Sequence, residues 1–140
     1  VDMTRMYVCG RLDSQCARAF TVARTIQDWI AEQLKPGTIC STVYEQALQM
    51  ADDAGLAEHF MGPPGEQAGF VGHGVGLELD EFPVLAPKFD VPLQVGQTVA
   101  VEPKFTFAEH GIVGIENTYA VTQEGGEKIS VLSDELMEID

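Results

Sequence analysis

Positive charge is scarce in this chain of 140 residues: eight Lys and Arg stand against 22 Asp and Glu, a formal net charge of −14. Such a field repels phosphate backbones and anionic lipid, so nucleic acid and membrane surfaces are excluded as natural partners. Long apolar runs are also missing. None approaches the roughly eighteen residues of a spanning helix, and no stretch reads as a signal peptide. Cysteine is sparse: Cys9, Cys16 and Cys40 are odd in number and form no Cys-x-x-Cys pair. Neither a disulfide framework nor a structural zinc site is expected, and a reducing, cytoplasmic setting is. Apolar residues, by contrast, make up 45% of the chain, too many for a disordered acidic tail. With no repeat and no low-complexity tract, this length predicts a single domain with a real core.

The opening is abrupt. Val1-Asp2-Met3 leads straight into a run of β-compatible side chains, which predicts a fragment whose sequence continues upstream. Met3 to Cys9 reads as a strand stopped by Gly10. Asp13 or Ser14 can cap a helix of about twenty residues, because a short side-chain oxygen satisfies free amides of the first turn. Ala19, Ala23, Ile26, Ile30 and Leu34 form its apolar stripe, and Lys35-Pro36-Gly37 ends it. Thr42 and Glu45 have the spacing of a capping box for a second helix. Val43, Ala47, Met50 and Ala54 line the face it buries, and Gly55 stops it. Gly62 to Gly69 is a loop. Short β-like runs follow at Phe70-Val71, Thr98 to Phe107, Ile112 to Ile115, Thr118 to Thr122 and Lys128 to Leu132. The fold class is therefore α+β: a curved antiparallel sheet with two helices on one face.

Most single acids here are solvated surface. Four ionisable side chains resist that reading. Asp2 sits within a strand pattern beside Thr4 and Arg5. His73 lies in Gly72-His73-Gly74-Val75-Gly76, where glycines remove bulk on both sides. Glu102 ends the apolar run Val99-Ala100-Val101 before Pro103, and Glu116 ends Gly111-Ile112-Val113-Gly114-Ile115 before Asn117-Thr118. A carboxylate at the end of an apolar strand is costly to bury unpaired. With so few basic residues, a metal ion is the natural counter-charge. Carboxylates with one imidazole suit Mn, Co, Fe or Zn, and carboxylates can bridge two such ions. The bland readings stand beside this one. His73 could be a packed histidine in a tight turn, and the acids could be structural. The glycines do not form a dinucleotide fingerprint, because no helical periodicity follows and Pro83 interrupts.

Asp2-Met3-Thr4-Arg5, Gly72-His73-Gly74-Val75-Gly76-Leu77, Glu102-Pro103 and Glu116-Asn117-Thr118 occur in the order seen in the M24 metallopeptidases. That family includes methionine aminopeptidases and Xaa-Pro dipeptidases and aminopeptidases. The chain resembles the family over nearly its whole length, and Lys35-Pro36-Gly37 with Glu81-Phe82-Pro83 bring it nearer the Xaa-Pro members. The resemblance implies the C-terminal half of a pita-bread (creatinase/aminopeptidase) fold, a single partial catalytic domain over residues 1–140. It also implies a site of five ligands around two divalent ions. Asp2 matches an aspartate that bridges the ions, His73 the sole histidine ligand, Glu102 the first glutamate and Glu116 the second, bridging one. The remaining aspartate would lie upstream of Asp2, so the chain alone is expected to bind metal weakly or not at all. The implied reaction is removal of an N-terminal residue or dipeptide, most plausibly Xaa-Pro, by a hydroxide held between the ions. Glu102 is then the general base, a peptide is the substrate, and a homodimer is the expected assembly.

Three departures bear on that reading. Asp80 stands where the family has a histidine that steadies the tetrahedral intermediate, and a carboxylate cannot donate to an oxyanion unless protonated. Gly69 and Gly114 stand where Xaa-Pro members carry another histidine and an arginine. Two rivals follow: a creatinase-like enzyme acting on a non-peptide C–N bond, and a pita-bread domain used only for binding. Asp80 and Glu81 are expected at the surface or behind the ligands. His59 and His110 are expected exposed, Cys9 buried in its strand, and Trp29 in the core or at an interface. An uncovered apolar face or sheet edge would drive self-association.

Overall fold

The computed structural model describes residues 1–139. The stripe from Ala19 to Ile30 becomes the buried side of α1 (Ser14–Gln33) and Leu34 its C-cap, all five residues fully enclosed. Asp13 is the N-cap, its carboxylate accepting the Gln15 N–H at 2.7 Å. Trp29 is half-buried against the core.

The second helix, α2 (Cys40–Asp53), starts two residues before the expected capping box, and that box does not form. Its N-cap is Ile39, without a side-chain cap. The first amides donate instead to a neighbouring loop, Cys40 N–H to the Val91 carbonyl and Ser41 N–H to that of Phe89, each at 3.1 Å. Thr42 Oγ1 turns back onto the Ile39 carbonyl at 2.7 Å. Free amides donate to whichever acceptor packing brings, and here the acceptor is distant in sequence. Val43 and Ala47 are buried as expected, with Cys40, Ser41 and Ala51, whereas Met50 and Ala54 are only half-buried.

The strands are β1 (Tyr7–Cys9), β2 (Gly72–Gly74), β3 (Glu81–Leu85), β4 (Thr98–Val101), β5 (Lys104–Phe107), β6 (Gly111–Gly114), β7 (Asn117–Val121), β8 (Gly126–Lys128) and β9 (Met137–Ile139). The main sheet is antiparallel in the order β3-β2-β4-β7-β8, β5 and β6 form a hairpin, and β1 pairs with β9 in parallel. Several expectations are corrected here. The strand expected over Met3–Cys9 is only Tyr7–Cys9, with Thr4 making one isolated bridge to Glu116. Cys9 is exposed rather than buried, because β1 pairs along one edge only and alternation turns Tyr7 and Cys9 outward. The run Thr98 to Phe107 is split at Glu102-Pro103 into two strands. The strand expected at Phe70-Val71 is displaced to β2, and that expected at Lys128–Leu132 to β8.

Helix α1 packs on β4, β5, β6 and β8, and α2 on β3. Between them and the sheet lies one core in which Ile26, Ile30, Leu34 and Val43 meet Leu85, Val99, Phe105 and Ile115. No helix is long and apolar enough to cross a membrane among the described residues.

Candidate metal centre

Strand register brings the sequence-selected side chains together. In β2, His73 lies opposite Ala100 of β4, and Ala100 lies opposite Thr118 of β7. Alternation then turns Ala100 and Glu102 to one face, with Glu116 and Thr118 beside them. The N-terminal segment joins the same face. Thr4 and Glu116 exchange backbone hydrogen bonds at 3.3 Å, and Asp2 N–H donates to Thr118 Oγ1 at 2.8 Å. Thr118 Oγ1 in turn donates to the Asp2 carbonyl at 2.7 Å. Ala100, fully buried between His73 and Thr118 in that row, adds no more than a methyl group to the hollow these side chains bound.

Ligand atoms of Asp2, His73 and Glu116 lie within 4.8 Å of one another. His73 Nε2 is 3.6 Å from Glu102 Oε1 and 3.9 Å from Asp2 Oδ2. On its other side His73 Nδ1 is 3.0 Å from both the Gly74 carbonyl and Asp80 Oδ1, so an N–H there donates outward and leaves Nε2 facing the acids. Asp80 is itself exposed, as is Glu81. Glycines flank His73 because neighbouring backbone leaves no room: a Cβ at Gly72 would lie 2.5 Å from the Ala100 carbonyl oxygen, and one at Gly74 2.4 Å from that of Phe82.

Three carboxylates therefore converge on one imidazole. Glu116 is only 7% exposed, and burial, then the charges of Asp2 and Glu102, push its carboxyl above the usual range against the Thr4 hydrogen bond (2.7 Å) and the Lys104 charge. Among the described residues Lys104 is the one ammonium beside these three crowded acids, and their oxygen-rich donor set with one nitrogen fits a hard or borderline divalent ion as the further counter-charge. Beside them opens a cleft of about 450 Å³ lined by the apolar Phe70, Phe82 and Val84 and by His73, Glu78, Asp80 and Glu81.

Behind the hollow runs a buried polar network that sequence reading missed. Arg5, 4% exposed in its side chain, donates to the carbonyls of Thr4 and Glu116 at 2.8 Å, to Asn117 Oδ1 at 2.6 Å and to Asp134 Oδ1 at 2.9 Å. Asn117 donates to Gln27 Oε1 and Asp134 Oδ1, and Gln27 donates to the Val101 carbonyl. The network thus grips the backbone at Val101 and Glu116, adjoining both glutamates. One signal was available: Gln27 sits at helical spacing from Ala23 and Ile30, on the stripe itself. His59 is half-buried rather than exposed, its Nδ1 2.9 Å from the Thr106 carbonyl, while His110 is exposed as expected. His110 joins Asp13 and Cys16 in a second cluster, but this one surrounds the N-terminus of α1, whose amides repel a cation.

Residues 1–123 match the sequence pattern of metallopeptidase family M24. The Xaa-Pro dipeptidase of Lactobacillus delbrueckii subsp. lactis is 30% identical over 135 residues, covering 96% of this chain and 35% of that protein. Among solved structures, an Xaa-Pro dipeptidase from Bacillus anthracis aligns with a TM-score of 0.87 at 29% identity, over 99% of this chain and 37% of its own. An X-Pro aminopeptidase from Thermotoga maritima MSB8 shares the fold, with a TM-score of 0.89 at 22% identity over 99% of this chain and 38% of its own. These neighbours carry the pita-bread fold expected from the sequence. The chain spans 34% to 37% of the length of the first curated relatives it matches.

Proposed function

We propose, since this chain belongs to metallopeptidase family M24, that it supplies most of a metal-dependent peptidase site removing an N-terminal residue or dipeptide, with proline after the scissile bond. The observation that carries this reading is the convergence of Asp2, Glu102 and Glu116 on the His73 imidazole. Asp2, His73, Glu102 and Glu116 would hold divalent ions of the Mn, Co, Fe or Zn kind. When bound, such ions acidify water and polarise a carbonyl. Asp2 is held through Thr118 and Glu116 through Thr4, which fixes both carboxylates on the face where the ions would be held. Glu102, whose Oε1 faces His73, takes the proton from the attacking water and delivers it to the leaving amine. The Gly74 carbonyl and Asp80 fix the His73 ring, and Phe70, Phe82 and Val84 offer an apolar wall against which a substrate side chain packs.

The test is hydrolysis of Ala-Pro and Gly-Pro by the full-length protein with Mn or Co and with a chelator. Cleavage that requires metal, and that Glu102→Gln abolishes while far-UV circular dichroism is unchanged, is the expected result. Turnover indifferent to chelation would instead indicate creatinase-like chemistry. Silence under all conditions would favour the binding module, the reading that Asp80, Gly69 and Gly114 support by removing three polar helpers.

A further inference from the structure

Lys104 opens β5, two residues beyond Glu102, and lies opposite Gly114 of β6. The approach there is close: a Cβ at Gly114 would fall 2.6 Å from the Lys104 Cβ and 2.7 Å from the Pro103 carbonyl oxygen. Bare Gly114 therefore makes room for the Lys104 stem. From that stem the ammonium reaches back to pair directly with Glu102 Oε2.

The pair changes what Glu102 can offer. Its Oε1 faces His73 Nε2 while Oε2 is occupied by a cation from the same chain. The compact group of ligand atoms within 4.8 Å contains Asp2, His73 and Glu116 but not Glu102. An ammonium beside the hollow also repels a second cation entering it, and in a partly buried site that repulsion is weakly screened.

Resting on the metal-centre reading above, we propose that Lys104 is a tethered counter-cation that competes with the divalent ion for Glu102 and so limits occupancy of the site. A metal ion that recruits Glu102 must displace the ammonium, and the exposed side of Lys104, about a third of its surface, gives it somewhere to go.

Calorimetric titration of Mn into the metal-stripped full-length protein tests this directly. Lys104→Met keeps the length of the side chain and removes its charge, and is expected to tighten binding on the order of tenfold, the scale at which groups behind metal ligands act. Lys104→Arg, which keeps the charge, is expected to bind as weakly as the wild type. Thermal melts without metal check folding, and Lys104→Gln replaces the Met variant if that one does not fold. Equal or weaker binding by the neutral variants overturns the proposal and leaves the metal centre standing. Absence of binding in every form overturns both. Unchanged metal affinity with a raised KM for Xaa-Pro dipeptides would assign Lys104 to the substrate carboxylate instead, and also overturns the proposal.

Discussion

With only eight basic residues available, where each one goes is informative at the scale of single residues. Arg5 and Lys128 both go to Asp134, at 2.9 and 2.8 Å. Burial raises the Asp134 carboxyl, but the hydrogen bonds from Lys128 and Asn117 and the charges of Lys128 and Arg5 together outweigh it and hold the group below its ordinary 3.8. A carboxylate depressed in the folded state contributes stability above its unfolded pKa, and that contribution is lost as pH falls through the folded value. Asp134→Ala also strands part of the buried Arg5 guanidinium. It is expected to cost about 2–3 kcal/mol at pH 7, the size of a charge-assisted hydrogen-bond set. The gap to wild type should narrow as pH falls below about 3.8, where the unfolded chain takes up a proton that the folded carboxylate still refuses. Urea denaturation at pH 7 and pH 3 reads both quantities; an equal loss at the two pH values would remove the charge from the explanation.

At the scale of elements, β2 is three residues long, and its two glycines allow β3 and β4 to close on either side of His73. Gly74→Ala places a methyl against the Phe82 carbonyl with no flexible neighbour to yield. A loss of about 1–3 kcal/mol is expected, the usual range for overpacking, with weaker metal binding as His73 is displaced. A thermal melt beside a Mn titration checks it, and a variant as stable as wild type would show that the strands can spread. The same elements show what local sequence encodes. Helix α1 was legible down to its cap, narrowed to Asp13 or Ser14, because stripe, cap and Pro36 stop are all nearby in the chain. The start of α2 was not, since loop carbonyls at Phe89 and Val91 do the capping. Strand β3 was hidden because Pro83 disguises it, and β9 because only its pairing with β1 makes it a strand. At the centre, Asp2, His73, Glu102 and Glu116 could be picked out because each interrupts an apolar or glycine pattern. Lys104, Thr4, Thr118 and Asn117 could not be given roles, because their significance arises from cross-strand register, which no local pattern records.

At the scale of the whole molecule, a net charge of −14 means that most cations added to the solution will stabilise the fold to some extent by screening. A specific centre has to be separated from that background. Sodium screens exposed charges within roughly a Debye length but does little for Glu116, which is 7% exposed. An ion bound only to the folded state adds stability as the logarithm of its concentration over Kd, about 2.7 kcal/mol at a hundredfold excess. Melting curves of the full-length protein in MnCl2 and in NaCl of matched ionic strength should therefore diverge, manganese giving the higher Tm and a chelator reversing the difference. His73→Ala removes the one imidazole around which the carboxylates converge. Its response to NaCl is expected to match wild type, while the extra shift with manganese disappears. If the variant retained that extra shift, manganese would be acting on the acidic surface as a whole, and the hollow beside Ala100 would not be where it binds.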